Sequence, residues 1–356
     1  MSQPKVTIVV VPRERFSFTR ESLESLYENT KYPFELIYVD NKAPDKVRTY
    51  LETQAKEKGF QLVSSDRFLS PNAARNLGLR QVSKESKYVI FLDNDVVLSP
   101  GWLKPLVECA EETGATVVGP LVCQHEPLHT IIHCAGGEYM SAEDMARFFR
   151  KESQDEQFKK PRIKEKIYLQ DKRIADVSDR LQRQTTGFIE FHCILVRTEF
   201  FDKEGLLDEG LCCTKEYLDL AMTVVKSGGN LYLEPASIVT FRTHFPAPPL
   251  EPSDIPYYMI RWSDAWERAS LLHFANKWDL ADDPYFKERL RVLGWRRRIE
   301  IIQPIANHFQ FLGKNATLWI RRIIFGFEKI FNFGLTTLYT LRHSQYMQKF
   351  FRREVA

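Results

Sequence analysis

Two carboxylates separated by a single residue follow an apolar run in FLDNDVVLSP, at residues 91–100. The preceding residues YVIFL have the composition of a buried strand, so Asp93 and Asp95 would lie at its carboxyl end. Carboxylate oxygens at that position can bind a hard divalent cation that in turn binds a diphosphate. A solvated turn in which Asp95 caps the helix after Pro100 fits the same residues.

Polar residues mark two more strand ends. Asp40 closes the apolar run FELIYVD, and Arg75 lies in NAARN where a helix begins. In open parallel sheets, ligands bind beyond the carboxyl ends of the strands. Arg75 could contact a diphosphate through its guanidinium and through the helix N-terminus. Asp40 could equally begin a turn, and Arg75 could equally be a surface arginine paired with an acid.

The elements that would position these residues alternate along the first 122 residues. β-branched apolar runs and amphipathic segments succeed one another, and they predict an α/β fold with a mostly parallel sheet and helices on both faces. We expect strands over 6–12, 34–40, 60–65, 87–95 and 115–122, and helices over 19–30, 44–59, 70–82 and 100–114.

The chain beyond residue 122 is less regular. Residues 141–184 are charge-rich and weakly apolar, which predicts an insertion that is a mobile loop or a helical lid. We expect strand character over 185–201, a helix within 207–229 and further strands over 230–246. The last hundred residues have a helical pattern.

Composition indicates an ordinary globular protein of 356 residues, with 44% hydrophobic residues and a net charge of +3. Its six cysteines lack metal-ligand spacing, and its first residues lack the pattern of a secretory signal. We therefore expect a cytoplasmic protein, and we expect no nucleic-acid partner.

The C-terminal region is basic and aromatic. From Gly294 to Ala356 eleven Lys or Arg face three Glu. Four charged residues interrupt the apolar stretch 318–340, which argues against a membrane span. A basic helix with an aromatic face can lie in a membrane interface, here at the inner membrane face. Packing on the rest of the chain, or in a dimer contact, fits the pattern equally.

Seven segments in order, among them VTIVVVP, YVDN, NAARNLGL and VIFLDNDVVLSPGWL, resemble a family 2 glycosyltransferase of the GT-A fold over roughly residues 5–250. The resemblance implies an inverting, DxD-containing enzyme with a C-terminal helical extension. It divides the chain into a nucleotide-sugar-binding half (1–125), an acceptor-binding half (126–250, with the insertion at 141–184) and a helical region (251–356).

The resemblance also implies roles for residues at the sheet edge. Asp95 and His244 would ligate Mn²⁺ or Mg²⁺, and Asp93 would contact the ribose or sugar. Three more residues would belong to the donor site: Pro12 after the first strand, Asp40 against the nucleotide base, and Asn94 within the triplet. Arg13, Glu14 and Arg15 replace the residues usual after Pro12, which leaves the nucleotide base open, with UDP as the default.

An inverting enzyme needs a carboxylate base on the acceptor side. The segment KEYLDLA resembles the family's acidic helix start, so Glu216 is the candidate base and Asp219, one turn along, the reserve. A charged first turn stabilised by the helix dipole is the structural alternative for both.

The function expected from these residues is metal-dependent transfer of a sugar from a nucleotide-sugar donor to an acceptor hydroxyl on a glycan or glycolipid, such as a lipid-linked or polysaccharide intermediate. A non-catalytic GT-A-like module that binds nucleotide or sugar is the first alternative, because Tyr217 replaces the family's second acid. A sugar nucleotidyltransferase is the second, although VPRERFSF lacks that class's glycine-rich loop.

Overall fold

The computed structural model describes residues 3–140, 145, 160–282 and 284–343. Within these residues, ten strands form one sheet and two more form a small ribbon. The strands are β1 (Val6–Val11), β2 (Glu35–Asn41), β3 (Gln61–Ser65), β4 (Tyr88–Asp93), β5 (Val96–Leu98), β6 (Val117–Gln124), β7 (Ile131–Cys134), β8 (Gly137–Glu138), β9 (Lys166–Ile167), β10 (Gln184–Thr185), β11 (Cys193–Arg197) and β12 (Leu231–Phe241).

The main sheet has the order β10-β12-β6-β11-β4-β1-β2-β3, with β5 and β7 at the side of this path. Strands β3, β2, β1 and β4 pair in parallel, as do β6 and β12. Strand β11 is antiparallel to both of its neighbours, β4 and β6, so those two strands share one direction. The α/β class with a mostly parallel sheet, flanking helices and a C-terminal helical region is thereby confirmed.

The helices of the described chain are α1 (Thr19–Asn29), α2 (Asp45–Lys58), α3 (Pro71–Leu79), α4 (Leu103–Thr113), α5 (Thr198–Glu204), α6 (Glu216–Lys226), α7 (Ile255–Arg261), α8 (Asp264–Lys277), α9 (Pro284–Arg291), α10 (Trp295–Arg297), α11 (Gln303–Asn307) and α12 (Lys314–Arg342). A π-helical turn, Arg298–Ile302, joins α10 to α11.

The predicted strands and helices before residue 122 form within a few residues of the expected bounds. Strand character was also predicted over 185–201, but residues 198–204 form helix α5. Of the predicted insertion, residues 141–144 and 146–159 lie outside the described residues. Residues 160–184 contain β9 and two short 3₁₀ turns, Ile174–Asp176 and Ser178–Arg180.

Helix α3 lies directly on the sheet because it carries a glycine at the contact. A Cβ added at Gly78 would meet Val9 Cγ1 at 2.3 Å and Val39 Cγ2 at 3.2 Å. Only hydrogen fits at this position, so α3 approaches β1 and β2 closely. This approach sets the position of α3, which contains Arg75.

The C-terminal region packs against the sheet domain. The Asp254 carboxylate accepts hydrogen bonds from the backbone amides of Phe16 and Ser17, and Tyr339 donates to the Phe68 carbonyl. Arg15 forms a buried ion pair with Glu300 of the π-turn. Packing on the rest of the chain, one of the two expectations for this region, is thus observed.

Helix α12 buries polar side chains on its inner side, beside Leu335 and Tyr339, and exposes apolar side chains on its outer side. Glu328, Asn332 and Thr336 are buried at four-residue spacing. The exposed apolar side chains lie elsewhere on the helix: Leu318, Trp319, Ile323, Phe327, Ile330, Phe331, Phe333, Leu338 and Leu341. None of the helices in the described ranges combines the length and apolar character needed to span a membrane.

Candidate functional site

A cavity of about 580 Å³ opens beside the carboxyl end of β4. Its walls come from the loop after β1, from α3, from the segment before β11, from the start of α6 and from the C-terminal helices. The lining residues are Arg13, Arg75, Asp93, Glu190, Phe191, His192, Cys213, Thr214, Lys215, Glu216, Tyr217, Arg261, Trp262, Glu267, Leu271, Arg289, Val292, Trp295, Arg296 and Arg298.

Asp93 lines this cavity, and cationic groups surround its carboxylate. Its Oδ1 accepts a hydrogen bond from Arg75 at 3.0 Å, and its Oδ2 lies 3.6 Å from Arg13 Nε and 3.5 Å from His192 Nδ1. Burial disfavours the carboxylate, but His192, Arg75 and Arg13 outweigh burial and lower the pKa of Asp93. Asp93 is therefore ionised at neutral pH.

Asp95, two residues on, has the opposite electrostatic environment. It is fully buried, and its Oδ2 accepts a hydrogen bond from Thr243 at 2.6 Å. Burial, with the charges of Asp93 and Glu14, raises the pKa of Asp95 to about 6. Its Oδ1 has no hydrogen-bond partner among the described residues. A buried carboxylate oxygen without a hydrogen-bond partner is suited to bind a cation.

Asn94 and Pro12 make hydrogen bonds that position the loop beside these acids. The Asn94 side chain accepts from the Arg13 amide at 3.1 Å and donates to the Arg15 carbonyl at 2.7 Å. The Pro12 carbonyl accepts from Tyr257 at 3.3 Å. Both residues position the loop after β1, and the cavity lies next to that loop.

Arg75 faces the acids and is almost fully buried. Besides Asp93, it donates to Asn72 at 3.2 Å, and its guanidinium stacks on Phe191 at 3.9 Å. The two asparagines of the NAARN motif hold the loop before α6, because Asn72 donates to the Asp208 carbonyl and Asn76 to the Leu207 carbonyl. The motif thus joins two walls of the cavity.

Glu216 begins α6 and faces the same cavity. Its Oε1 lies 3.4 Å from Arg261, whereas its Oε2 has no hydrogen-bond partner in the described chain. The preceding Lys215 has a φ of 72°, which is uncommon for a residue other than glycine. Burial lowers the pKa of Lys215 to about 8, against the opposing charge of Glu165.

Asp219 lies on the same helix but contacts other groups. It accepts hydrogen bonds from Lys277 and from Trp278, both at 2.8 Å. It does not line the cavity described above. These contacts fix α6 against α8.

Asp40 lies at the end of β2 and is fully buried. Its Oδ1 accepts from the Ala43 amide at 2.7 Å, and its Oδ2 accepts from Arg48 at 3.1 Å. Both oxygens thus stabilise the turn into α2. This is the arrangement of the turn-initiating alternative, whereas the nucleotide-base contact stays a prediction.

His244 follows β12 and belongs to a group of imidazoles. Its ring centroid lies 4.6 Å from that of His133 and 5.4 Å from that of His125. Burial and the neighbouring imidazoles lower the pKa of His244 to about 3, so the ring is neutral at pH 7. A neutral imidazole can ligate a metal ion.

Sequence reasoning missed two groups of residues at this site. The first is the cluster of His133, Glu190 and His192, in which one ligand atom of each lies within 4.8 Å of the others. The Glu-x-His spacing in FIEFH was the available signal. The second group is the cationic wall from the C-terminal region, which includes Arg261, Arg289 and Arg296.

The residues present fit a divalent cation. Asp95 supplies a buried oxygen without a described partner, and the imidazoles and Glu190 supply nitrogen and oxygen donors nearby. The arginines that line the cavity could bind an anion such as a diphosphate. A carboxylate, Glu216, faces the same space and could accept a proton.

Curated proteins are similar to parts of this chain. The O-antigen biosynthesis protein RfbC of Myxococcus xanthus is 31% identical over 118 residues, 33% of this chain and 9% of that protein. An uncharacterised glycosyltransferase of Rickettsia bellii (strain RML369-C) is 30% identical over 91 residues, 26% of this chain and 13% of that protein. EpsJ, an uncharacterised glycosyltransferase of Bacillus subtilis (strain 168), is 28% identical over 116 residues, 33% of each chain. The chain thus spans between 9% and 33% of the length of these relatives.

Solved structures are also similar. The structure of GalNAc-T7 with UDP, GalNAc and Mn²⁺ has a TM-score of 0.49 at 17% identity, over 80% of this chain and 56% of that one. TarS of S. aureus has a TM-score of 0.42 at 12% identity, over 94% of this chain and 55% of that one.

The family model described as Glycosyl transferase family 2 matches residues 7–204. The match includes the loop after β1, the NAARN motif, the two acids after β4 and the cluster residues Glu190 and His192. It also spans more than half of the 356 residues, and the chain therefore belongs to glycosyltransferase family 2.

Proposed function

We propose that this chain transfers a sugar from a nucleotide-sugar donor to an acceptor hydroxyl, with inversion at the anomeric carbon. The observation that carries the proposal is a single cavity in which Asp93, Arg13 and Arg75 lie on one wall and Glu216 lies on another. Cationic groups for a diphosphate and a carboxylate for a proton are the two parts that this reaction needs.

The proposed donor is a nucleoside diphosphate sugar, with UDP as the default base. Arg13 and Arg75 would stabilise the charge that develops on the diphosphate as the sugar–phosphate bond breaks. Asp93, which these arginines keep ionised, would accept hydrogen bonds from ribose or sugar hydroxyls. Asp40 and Pro12 stay proposed neighbours of the base, and Asn94 a proposed support of the triplet.

The proposed acceptor is a hydroxyl on a glycan or glycolipid. Glu216 would accept the proton of this hydroxyl as its oxygen attacks the anomeric carbon. The nucleoside diphosphate would leave from the opposite side, which inverts the configuration. Asp219 stays the reserve base, although its oxygens contact Lys277 and Trp278.

A divalent cation, Mn²⁺ or Mg²⁺, belongs to this proposal. Asp95 and His244 are its proposed ligands, supported by the unpartnered Asp95 Oδ1 and the neutral His244 ring. Such an ion would supply further positive charge to the diphosphate.

The test is the release of nucleoside diphosphate from a set of nucleotide sugars by the purified chain, with Mn²⁺ or with chelator. We expect release from one nucleotide class, and we expect Asp95→Ala and chelator to lower it together. Release that persists in chelator and in Asp95→Ala would remove the metal from the proposal. If no donor is turned over with any acceptor, the non-catalytic binding module becomes the better description.

We further propose that the outer side of α12 rests on an anionic lipid surface at the inner membrane face. Its exposed Phe327 and Phe331, 72% and 63% accessible, are large apolar groups on the helix side opposite the buried polar residues. Arg321 and Arg322 are basic residues on the same helix. An apolar face combined with basic residues is the pattern of helices that bind membrane interfaces.

Co-sedimentation with phosphatidylglycerol vesicles tests this placement. The full chain should bind, whereas the double variant Phe327→Glu/Phe331→Glu should not. Leu206→Glu, which changes an exposed leucine of the sheet domain, should bind as the wild type does. Equal binding of all three proteins, or none by the wild type, would refute the lipid contact.

A further inference from the structure

A second set of metal-ligand atoms lies beside the Asp93–Asp95 turn. His133 is on β7, and Glu190 and His192 lie just before β11. Glu190 Oε2 lies 2.7 Å from His133 Nε2 and 3.5 Å from His192 Nε2. Both imidazoles therefore direct a nitrogen at the same carboxylate oxygen.

The tautomer of His133 is set by its other neighbour. His133 Nδ1 lies 3.0 Å from Gln124 Oε1, and the Gln124 amide nitrogen donates to Asp171 at 2.6 Å. This second bond fixes the Gln124 oxygen towards the imidazole, so His133 Nδ1 carries a proton and donates it. In the neutral ring, Nε2 then presents a lone pair to the Glu190 carboxylate.

Two lone-pair acceptors 2.7 Å apart, here His133 Nε2 and Glu190 Oε2, repel each other unless a proton or a metal ion binds to them. A metal-binding histidine commonly donates its second N–H to an amide or carboxylate oxygen, as His133 does to Gln124. The contact of His133 with Gln124 therefore has the form of an outer-shell hydrogen bond at a metal site.

His192 supplies an independent observation. The side chain is 4% exposed, and its Nδ1 lies 3.5 Å from Asp93 Oδ2, which leaves its Nε2 directed at Glu190. The Asp93 carboxylate is therefore the outer-shell neighbour of His192, as the Gln124 oxygen is that of His133. A single divalent ion would satisfy all three ligand groups at once.

The cluster is accessible to ligands. Glu190 and His192 line the cavity of the proposed transfer reaction, and the Glu190 side chain is 17% exposed. An ion bound there would keep open positions towards the cavity, as ions at catalytic sites do.

We propose that His133, Glu190 and His192 bind a divalent first-row transition metal, with Zn²⁺ or Co²⁺ preferred over Mg²⁺. The preference follows from the donor set, since imidazole suits these metals whereas Mg²⁺ is bound by oxygen ligands. As a metal site the cluster is independent of sugar transfer. Its ligands differ from Asp95 and His244, which are the ligands proposed for the cation of that reaction.

The test uses the full chain, freed of metal with chelator and titrated with Co²⁺ while the visible absorption is recorded. Zn²⁺ and Mg²⁺ are compared by calorimetry. We expect the cluster of the wild type to bind one Co²⁺ with imidazole-type absorption bands, apart from any ion held by Asp95 and His244, and to bind Zn²⁺ far more tightly than Mg²⁺. Co²⁺ binding should weaken by roughly 100-fold or more in His133→Ala, Glu190→Gln and His192→Ala, since a lost ligand costs at least as much as a lost outer-shell partner.

Two variants serve as controls. His308→Ala removes an exposed histidine and should bind Co²⁺ as the wild type does. Asp95→Asn should keep the Co²⁺ bands, because Asp95 is not one of the three ligands. A cooperative unfolding transition of each metal-free variant shows that the variant is folded. If an alanine variant is not folded, the near-isosteric Glu190→Gln tests the proposal instead.

Wild-type affinity for Co²⁺ in Glu190→Gln would overturn the proposal, as would the absence of Co²⁺ binding in the wild type. If only Asp95→Asn lost the Co²⁺ absorption bands, the ion would be assigned to Asp95 and its neighbours, and the proposal would be overturned too. The Co²⁺ titrations do not depend on whether the chain transfers a sugar. A chain that binds Co²⁺ but no nucleotide sugar would refute the proposed function and leave the metal site standing.

Discussion

At the scale of single residues, Glu216 differs from the other acid on its helix in what it contacts. One of its oxygens has no hydrogen-bond partner within the described ranges, whereas the Asp219 oxygens accept from Lys277 and Trp278. A base needs a lone pair that no donor of the protein occupies, and a structural carboxylate uses its lone pairs within the protein. This difference supports the proposal that Glu216 is the base and Asp219 a structural residue.

Glu216→Gln keeps the size of the side chain and removes its ability to take a proton. We expect turnover to fall by about 10²- to 10⁴-fold, the usual contribution of a general base, with donor affinity little changed. Steady-state kinetics together with donor titration by calorimetry measure both. Turnover within a factor of two of the wild type would exclude Glu216 as the base.

Asp219→Asn is the matched control for that variant. Since its partners hold α6 against α8, we expect a lower melting temperature and a nearly normal turnover for the folded fraction. A loss of turnover as large as that of Glu216→Gln, at wild-type stability, would move the base to Asp219.

His273 supplies a pH-dependent contribution to stability. Its Nε2 lies 3.0 Å from Asp208 Oδ2, and this hydrogen bond raises the pKa of His273 above its ordinary value of 6.5. A histidine with a raised pKa in the folded state stabilises the fold fully below its unfolded pKa. That contribution is lost as the pH rises through the folded pKa.

The free energy of unfolding of wild type and His273→Gln, measured by urea denaturation between pH 5 and 8, tests this contribution. The wild type should be more stable at the acidic end, and the difference should shrink as the pH rises. A difference that grows with pH would contradict the assigned ion pair.

Residue types alone could predict part of this site. Asp93 and Arg75 were predicted to lie together because strand ends and helix starts of an α/β sheet converge on one edge, whereas Glu216 was implied by the family resemblance. His133 could not be found, because β7 reaches the site through an antiparallel pairing with β6 that no local pattern signals. Arg261 lies 168 residues from Asp93 along the chain, and only tertiary packing brings them to one cavity.

At the scale of elements, the packing of α3 on the sheet depends on Gly78. Gly78→Ala gains about 1 kcal/mol of helix propensity, but its methyl group would meet Val9 Cγ1 at 2.3 Å. Overpacking of this kind costs about 1–3 kcal/mol, so we expect a net loss of stability in urea denaturation.

The control is Gly326→Ala on α12, where an added Cβ would meet no atom within 4 Å. Here the propensity gain is unopposed, and we expect stabilisation of up to about 1 kcal/mol. If Gly78→Ala stabilised the chain as much as Gly326→Ala does, the close approach of α3 to β1 would be refuted.

Periodicity predicted most of the elements before residue 122 because they are simple cases, largely apolar buried strands and amphipathic helices, but it missed the three-residue strand β5. It failed to separate β11 from α5, since the apolar run continues across Arg197 into FF at 200–201. It also gave no direction for β11, because whether a strand lies parallel or antiparallel depends on the connection before it. That connection includes residues 141–184.

At the scale of the whole molecule, the C-terminal region is both a wall of the cavity and a carrier of exposed apolar surface. Arg261, Trp262 and Arg296 line the cavity, and Trp262 also donates to the buried Glu14 at 2.9 Å. Helix α12 packs on this region through Leu335 and Tyr339 and through polar contacts, with Asn332 donating to the Met259 carbonyl at 2.9 Å. Helix α12 therefore contacts α7, and α7 contributes Arg261 to the cavity.

The central claim is that the cavity beside Asp93 binds a nucleotide sugar with a divalent metal. Thermal unfolding of the purified chain with UDP-, GDP- and dTDP-sugars, each with and without Mn²⁺, tests it directly. We predict that one nucleotide class raises the melting temperature, that the rise requires the metal, and that Asp93→Asn abolishes it. No rise with any nucleotide sugar, or an equal rise in Asp93→Asn, would contradict the claim.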